Sequence, residues 1–210
     1  MSDAPVREGF VAPSLAAEFP DLRVAWTEVP AAGGPSPREL RERLRGLSDK
    51  LRGAQAIALR GRDVPHAYRV FFRHIGLEPD EVRIPIEALV LERLLRGEYP
   101  SRGRLPDALA IACIETSLPV WAIDADRLSG APGVRPAGAG DELAGEPLAA
   151  GRLVLADESR PLAVLFDQPG APFAPDRDTT RLALVTLAVP GVPALFAEEA
   201  LWIAAEALEA

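Results

Sequence analysis

The sequence predicts a mixed α+β domain, and three observations predict it. Helical patterns with clear start and stop residues fill the first half, over 36–97. Apolar, strand-like runs fill the second half, over 120–189. The two do not alternate regularly, which argues against a repeated strand–helix–strand plan. The chain has 210 residues, 48% hydrophobic and 26% charged. That balance suits one globular domain over 1–210 with a core that needs no staples.

The first dozen residues carry little pattern and read as a flexible N-terminus. Residues 22–29 partly alternate and predict a strand. The Ala31-Ala32-Gly33-Gly34-Pro35 stretch breaks it. Ser36 then stands where an N-cap belongs, Pro37 takes the first helical position, and Glu39 completes a capping box. Leu40, Leu44, Leu47 and Leu51 follow at helical spacing, and Gly53 supplies a left-handed stop. A second helix starts near Asp63, buries Ala67, Tyr68, Phe71, Phe72 and Ile75, and ends at Gly76. Its other side carries Arg62, His66, Arg69 and Arg73, three or four residues apart and therefore in line. Pro85 opens a third helix and Gly97 closes it.

Residues 105–118 are apolar on nearly every side, with Asp107, Glu115 and Thr116 as exceptions, so the rest of the domain must enclose them. Val120–Asp124 reads as a short strand. Residues 131–151, rich in Gly, Pro and Ala, read as a long loop or two loosely joined short strands. Strands are expected at 152–156 and 162–166 around an Asp157-Glu158 turn, followed by a flexible loop over 167–178. Residues 181–189, long and rich in Leu and Val, form the clearest strand. A closing helix over 194–208 is expected to bury Leu195, Leu201, Trp202, Ala205 and Leu208.

The net charge of −8 is unevenly spread. Residues 36–75 hold ten Arg/Lys against four Asp/Glu, and residues 136–210 hold four against twelve. A polyanion gripping the whole surface would be repelled by the second region, whereas a local contact of an RNA end with the first would not. The plainer reading of Arg62, Arg69 and Arg73 is a solvated helix face. Lys50 is the only lysine among 23 basic residues, which reflects base composition more simply than phosphate binding. Cys113 stands alone and excludes an internal disulfide; buried in an apolar segment, its thiol is expected to be inert. The two histidines, His66 and His74, lie near no serine, and no G-x-S-x-G elbow appears. No His/Cys cluster, H-E-x-x-H or calcium loop is present, so no metal is expected. Gly138-Ala139-Gly140 lacks the strand, third glycine and helix of a dinucleotide fingerprint, so no cofactor is expected. No run is long enough to cross a bilayer and the first residues do not form a secretory leader, so the expected location is cytoplasmic, with no membrane partner.

The run 83–130 joins an amphipathic helix, a buried segment with Asp107, and a strand ending at Asp124. Glu87, Ala88, Leu89, Arg93, Leu94, Leu95 and Gly97 form its first part. Asp107, the Pro119 corner, Asp124, Asp126, Leu128 and Gly130 complete it. This succession resembles the B3/B4 domain of the phenylalanyl-tRNA synthetase β subunit and free-standing proteins built from that domain, over most of 67–190. The resemblance implies an α+β fold of layered β/β/α type, with helices mainly in the N-terminal half and strands mainly in the C-terminal half. It also implies a domain that engages aminoacyl-tRNA ends and hydrolyses a wrongly attached amino acid. A pocket built for an apolar ring cannot strongly exclude one bearing an extra hydroxyl, which is the physical need for such a second sieve. The synthetase's aminoacylation core has no counterpart in this sequence, so the chain is not expected to charge tRNA itself.

The resemblance makes Trp121, Asp124, Asp107, Glu87, Arg93 and Thr180 the candidate substrate-binding residues, with Arg62, Arg69 and Arg73 as candidate nucleic-acid contacts. The plainer reading of the carboxylates is a set of buried salt bridges and caps. Trp121 is either a core aromatic or a flat wall for a ligand. Trp121-Ala122-Ile123-Asp124 stands where the family has His-Ala-Phe-Asp, Ala110 replaces an Asn, and Pro172 falls near a family Glu. No catalytic residue is therefore assigned, and a second reading stands beside the first: a non-catalytic module for a small amino-acid-like ligand.

Overall fold

The computed structural model describes residues 5–51 and 53–210. The chain enters by tying two sheets together. Strand β1 (Arg7–Glu8) and strand β2 (Phe10–Val11) are separated by Gly9 alone, yet they pair in different sheets. A Cβ on Gly9 would run into the Pro132 carbonyl and the Val24 side chain, so only glycine passes there. The flexible N-terminus expected from the sequence is thus a seam from Arg7 to Val11; residues 1–4 lie outside the described residues. A short helix α1 (Pro13–Glu18) leads into β3 (Arg23–Pro30).

Helix α2 (Arg38–Lys50) begins one residue later than expected and without the capping box. Pro37 occupies the cap position, and the Ser36 hydroxyl donates instead to the Asp107 carboxylate, 71 residues away. A hydroxyl gains more from a charged acceptor than from a neutral backbone N–H, which explains the preference. Gly53 does not stop α2. The helix ends in an extended Leu51, and Gly53 opens α3 (Gly53–Ala58), which a 3₁₀ turn carries to the buried Leu59.

Helices α4 (Asp63–His74) and α5 (Pro85–Arg96) form as their patterns predict, and Gly97 caps α5 in the left-handed conformation. The segment at 105–118 is a helix, α6 (Arg104–Thr116), followed by β4 (Val120–Asp124). Next come β5 (Gly133–Pro136), a small hairpin of β6 (Glu142–Leu143) and β7 (Glu146–Pro147), then β8 (Leu153–Ala156) and β9 (Pro161–Val164). Strand β10 (Arg181–Ala188) and helix α7 (Ala194–Glu209) close the chain.

One sheet has the order β1-β3-β10-β4 and is antiparallel throughout. Its central strand β10 is buried along its length after Arg181, because both of its faces are covered. The second sheet has the order β2-β5-β8-β9, with β2 parallel to β5 and the other pairs antiparallel. The main apolar cluster reaches from Leu15 to Leu208 and draws on both sheets and most helices, and a small second one joins Ala137, Val154 and Ala156.

Helix α7 packs on α6 and on the first sheet, but not through the expected stripe. Leu201, Ala205 and Leu208 are buried, whereas Leu195 is 62% and Trp202 43% exposed. The inward face is instead built largely from Ala197, Ala200, Ala204 and Ala207. Small side chains let the helix axis approach its neighbours closely, and the two bulky residues turn outward. No helix among the described residues is long and apolar enough to cross a membrane.

Candidate functional site

A cavity of about 630 Å³ lies beside Trp121. Four elements shape it. Helix α6 is buried through Ala108, Ile111 and Ala112, and it turns Leu105, Leu109, Ala110 and Cys113 toward the cavity at intervals that put them on one side. Helix α5 adds Leu89, and β4 adds Trp121. The last wall is the chain after β9: Phe166, Gln168, Pro169 and Pro175. The nearly uniform apolarity of 105–118 now has a cause. One side of α6 faces the protein core and the other faces a hollow.

The indole is 5% exposed, and its Nε1 donates to the Asp167 carbonyl at 3.0 Å. That bond anchors the backbone next to Phe166, whose φ of +74° is left-handed. A bulky residue there is strained by about 1–2 kcal/mol and persists only where its surroundings over-determine it. Here Leu165 N–H donates to Leu153 O at 2.9 Å and Asp167 N–H donates to Val164 O at 2.9 Å, bracketing the strained residue. Its ring sits among aromatics, 4.5 Å from Phe72, 6.0 Å from Trp121 and 6.2 Å from both Tyr68 and Phe71, centroid to centroid.

The polar groups lining the Trp121 cavity are Arg83, Arg102 and Gln168, with no carboxylate among them. Arg102 is engaged by Glu92. Arg83 is exposed and forms no hydrogen bond or ion pair with another described residue. The cavity holds no histidine, and its one thiol is a poor nucleophile, because burial pushes the Cys113 pKa up to about 12. Among the described residues no group of three or more His, Cys, Asp or Glu could hold a metal ion.

Of the six candidate substrate-binding residues, Trp121 alone lines this cavity. Asp107, Asp124, Glu87 and Arg93 do not pair with one another; each finds its own partners. Asp107, 1% exposed, accepts from Ser36 Oγ, from Ser101 Oγ at 2.5 Å and from Arg102 N–H at 2.7 Å, fixing the entry to α6. Glu87 accepts two 3.0 Å hydrogen bonds from Arg69, and Arg93 donates to the Ser48 carbonyl at 2.8 Å.

Asp124 has a supporting place. It accepts from Thr179 Oγ1 at 2.9 Å and pairs with Arg127 at 3.0 Å, while its N–H donates to Phe173 O. Arg127 also grips Asp176 at 2.6 Å. The loop over 167–178, expected to be flexible, is therefore clamped to the end of β4, where it walls the cavity. Pro172 lies in the clamp through its carbonyl, at 3.0 Å from Arg127 Nη1. Thr180 donates to Asp126 at 3.0 Å, outside the cavity.

Of the three candidate nucleic-acid contacts, Arg69 is withdrawn. It is 7% exposed and held by Glu87 and by Asp80 at 2.8 Å. Burial alone would weaken its charged form, but these hydrogen bonds and charges outweigh it and raise its pKa above the ordinary arginine value. Arg62 and Arg73 are exposed, with Arg73 at 4.0 Å from Glu78. Residues that sequence reasoning missed are Phe166, whose strain has no sequence mark, and Arg83, one arginine among many until its isolation is seen. No family model matches the chain, and no curated protein matches it in sequence.

Proposed function

We propose that this chain is a B3/B4-like module that binds a small amino-acid-like ligand in the Trp121 cavity and leaves it chemically unchanged. The observation that carries this reading is a ligand-sized apolar hollow, walled by Trp121 and Phe166, with an unengaged guanidinium at its edge. Its volume falls in the range of small-molecule sites, and its few polar groups would serve to orient a ligand. An apolar or aromatic side chain fills the hollow, and the ligand's carboxylate meets Arg83 and Arg102.

The hydrolytic alternative has less support from the same residues. Ester hydrolysis needs a positioned water with a base or an array of donors to the carbonyl. The cavity offers a thiol with a pKa of about 12 and Ala110 where the resembled family has an amide.

Thermal-shift titration of the protein with free amino acids and their amides tests the proposal. Phenylalanine, leucine or a close relative should raise Tm by several degrees at saturating ligand, and Trp121→Ala should abolish the shift. A flat response across the panel sinks it. Charged tRNAs, correct and wrong, form the second arm; deacylation above the spontaneous rate would replace binding by hydrolysis.

A further inference from the structure

A second cavity, of about 690 Å³, shares two of its walls with the first. Phe166 and Arg83 line both. The aromatic ring held in a strained backbone conformation is thus a partition between two hollows of similar size, and the unengaged guanidinium belongs to each. Strained residues gather at ligand clamps because the surrounding structure is built to hold them there. The partition is held from both sides. Trp121, from the first cavity, bonds to the Asp167 carbonyl, and Leu153, from the second, accepts the N–H of Leu165.

The two hollows differ in charge. Carboxylates are missing from the lining of the Trp121 cavity, whereas the second is lined by Glu18 and Asp167 beside His74 and Arg152, over an apolar floor that includes Phe19, Leu77 and Leu153. Asp167 is loosely paired with Arg152 at 4.0 Å. Glu18 is exposed and forms no hydrogen bond or ion pair with another described residue. The Trp121 cavity therefore offers only cations, whereas the second adds a free anion, Glu18, to the guanidinium that both share. In a single amino acid the ammonium and carboxylate share one carbon and cannot divide between the two. A molecule with two apolar groups, a carboxylate at one end and an ammonium at the other, can.

Resting on the binding function proposed above, we infer that the two cavities are subsites of one site for apolar dipeptides. The C-terminal residue places its side chain beside Trp121 and its carboxylate at Arg83 and Arg102. The peptide unit passes Phe166. The N-terminal side chain lies on the floor of the second cavity, with its ammonium at Glu18. The match is by charge and shape, and no bond is made or broken.

Isothermal titration with L-phenylalanine and with the dipeptide Leu-Phe tests this on the intact protein. Leu-Phe should bind about tenfold more tightly than phenylalanine, the gain expected from burying a second aliphatic side chain and pairing the relocated ammonium with Glu18, after ordering costs. In Glu18→Gln, a substitution at an exposed position that folding tolerates, the ratio of the two affinities should fall to about threefold or less. Acetyl-phenylalanine, which extends the ligand without an ammonium, should show none of the dipeptide's advantage. If phenylalanine binds and Leu-Phe binds no better, the two-subsite assignment is overturned while the single-cavity function stands. If neither ligand binds, both fail together.

Discussion

Phe166 combines an unfavourable backbone angle with a site position, and the two contributions separate by substitution. Glycine reaches a φ of +74° without penalty, whereas alanine retains most of the strain. Phe166→Ala and Phe166→Gly both remove the ring, so the glycine variant should be the more stable of the two by about 1 kcal/mol in urea unfolding. Both should lose ligand binding, because the wall is gone in each. Equal stabilities would mean that the left-handed geometry carries no strain. None of this was legible in the sequence, where Phe166 merely ends an apolar run. Trp121 was legible as a candidate wall because it sits in a short strand beside a buried segment. Asp107 was legible as a buried carboxylate needing donors, but its donor Ser36 was not. A serine ahead of Pro-Arg-Glu fits a cap as well as a tertiary contact, and only the approach of α6 decides between them.

At the scale of elements, a buried ion pair links α4 to α5. Arg69 and Glu87 are each more than nine-tenths buried, and Asp80 and Arg60 extend the cluster toward solvent. Removing one member of a buried pair strands the other charge, at a cost of about 3 kcal/mol or more. Glu87→Ala should therefore lower the unfolding free energy by that order, and the double variant Arg69→Met with Glu87→Leu should cost less than the single change. A double variant as unstable as Glu87→Ala would show that the charges themselves hold the helices together. The extent of α5 was readable from Pro85 and Gly97, since both act within one turn of their own position. The burial of Arg69 was not readable, because helical periodicity places a residue on a face without saying what covers that face. The inward face of α7 was misjudged for a related reason. Side-chain size suggested Leu195 and Trp202, while close packing selected alanines.

Over the whole molecule, acid should be the effective denaturant. Asp80, Asp126, Asp141, Asp157 and Asp176 are all held below the usual carboxylate range. Arg69 does this for Asp80, Arg181 for Asp126 and Arg135 for Asp141, while Asp176 is lowered first by the Asp178 N–H and then by Arg127. For Asp157, burial works the other way, and hydrogen bonds from Ser129, Ser159 and Arg160 outweigh it. A carboxyl group whose folded pKa is depressed stabilises fully above its unfolded value of about 3.9, and the contribution is lost as pH falls toward the folded value. The unfolding free energy should thus fall as pH drops below about 4, and Asp157→Asn should make that slope shallower in urea titrations over the acid range. An unchanged slope would remove Asp157 from the account. At this scale the mixed α+β class was readable, because β10 and the helices carry strong local patterns. The arrangement of the two sheets was not, since strands of two residues leave too little pattern to detect. Those two-residue strands have a consequence of their own. The segment from Arg7 to Val11 sheathes the outer rim of β3 with one half and the outer rim of β5 with the other. A protease nick that shed it would bare two rows of unpaired amides and carbonyls at once, and the clipped chains would be primed to stick to one another through both.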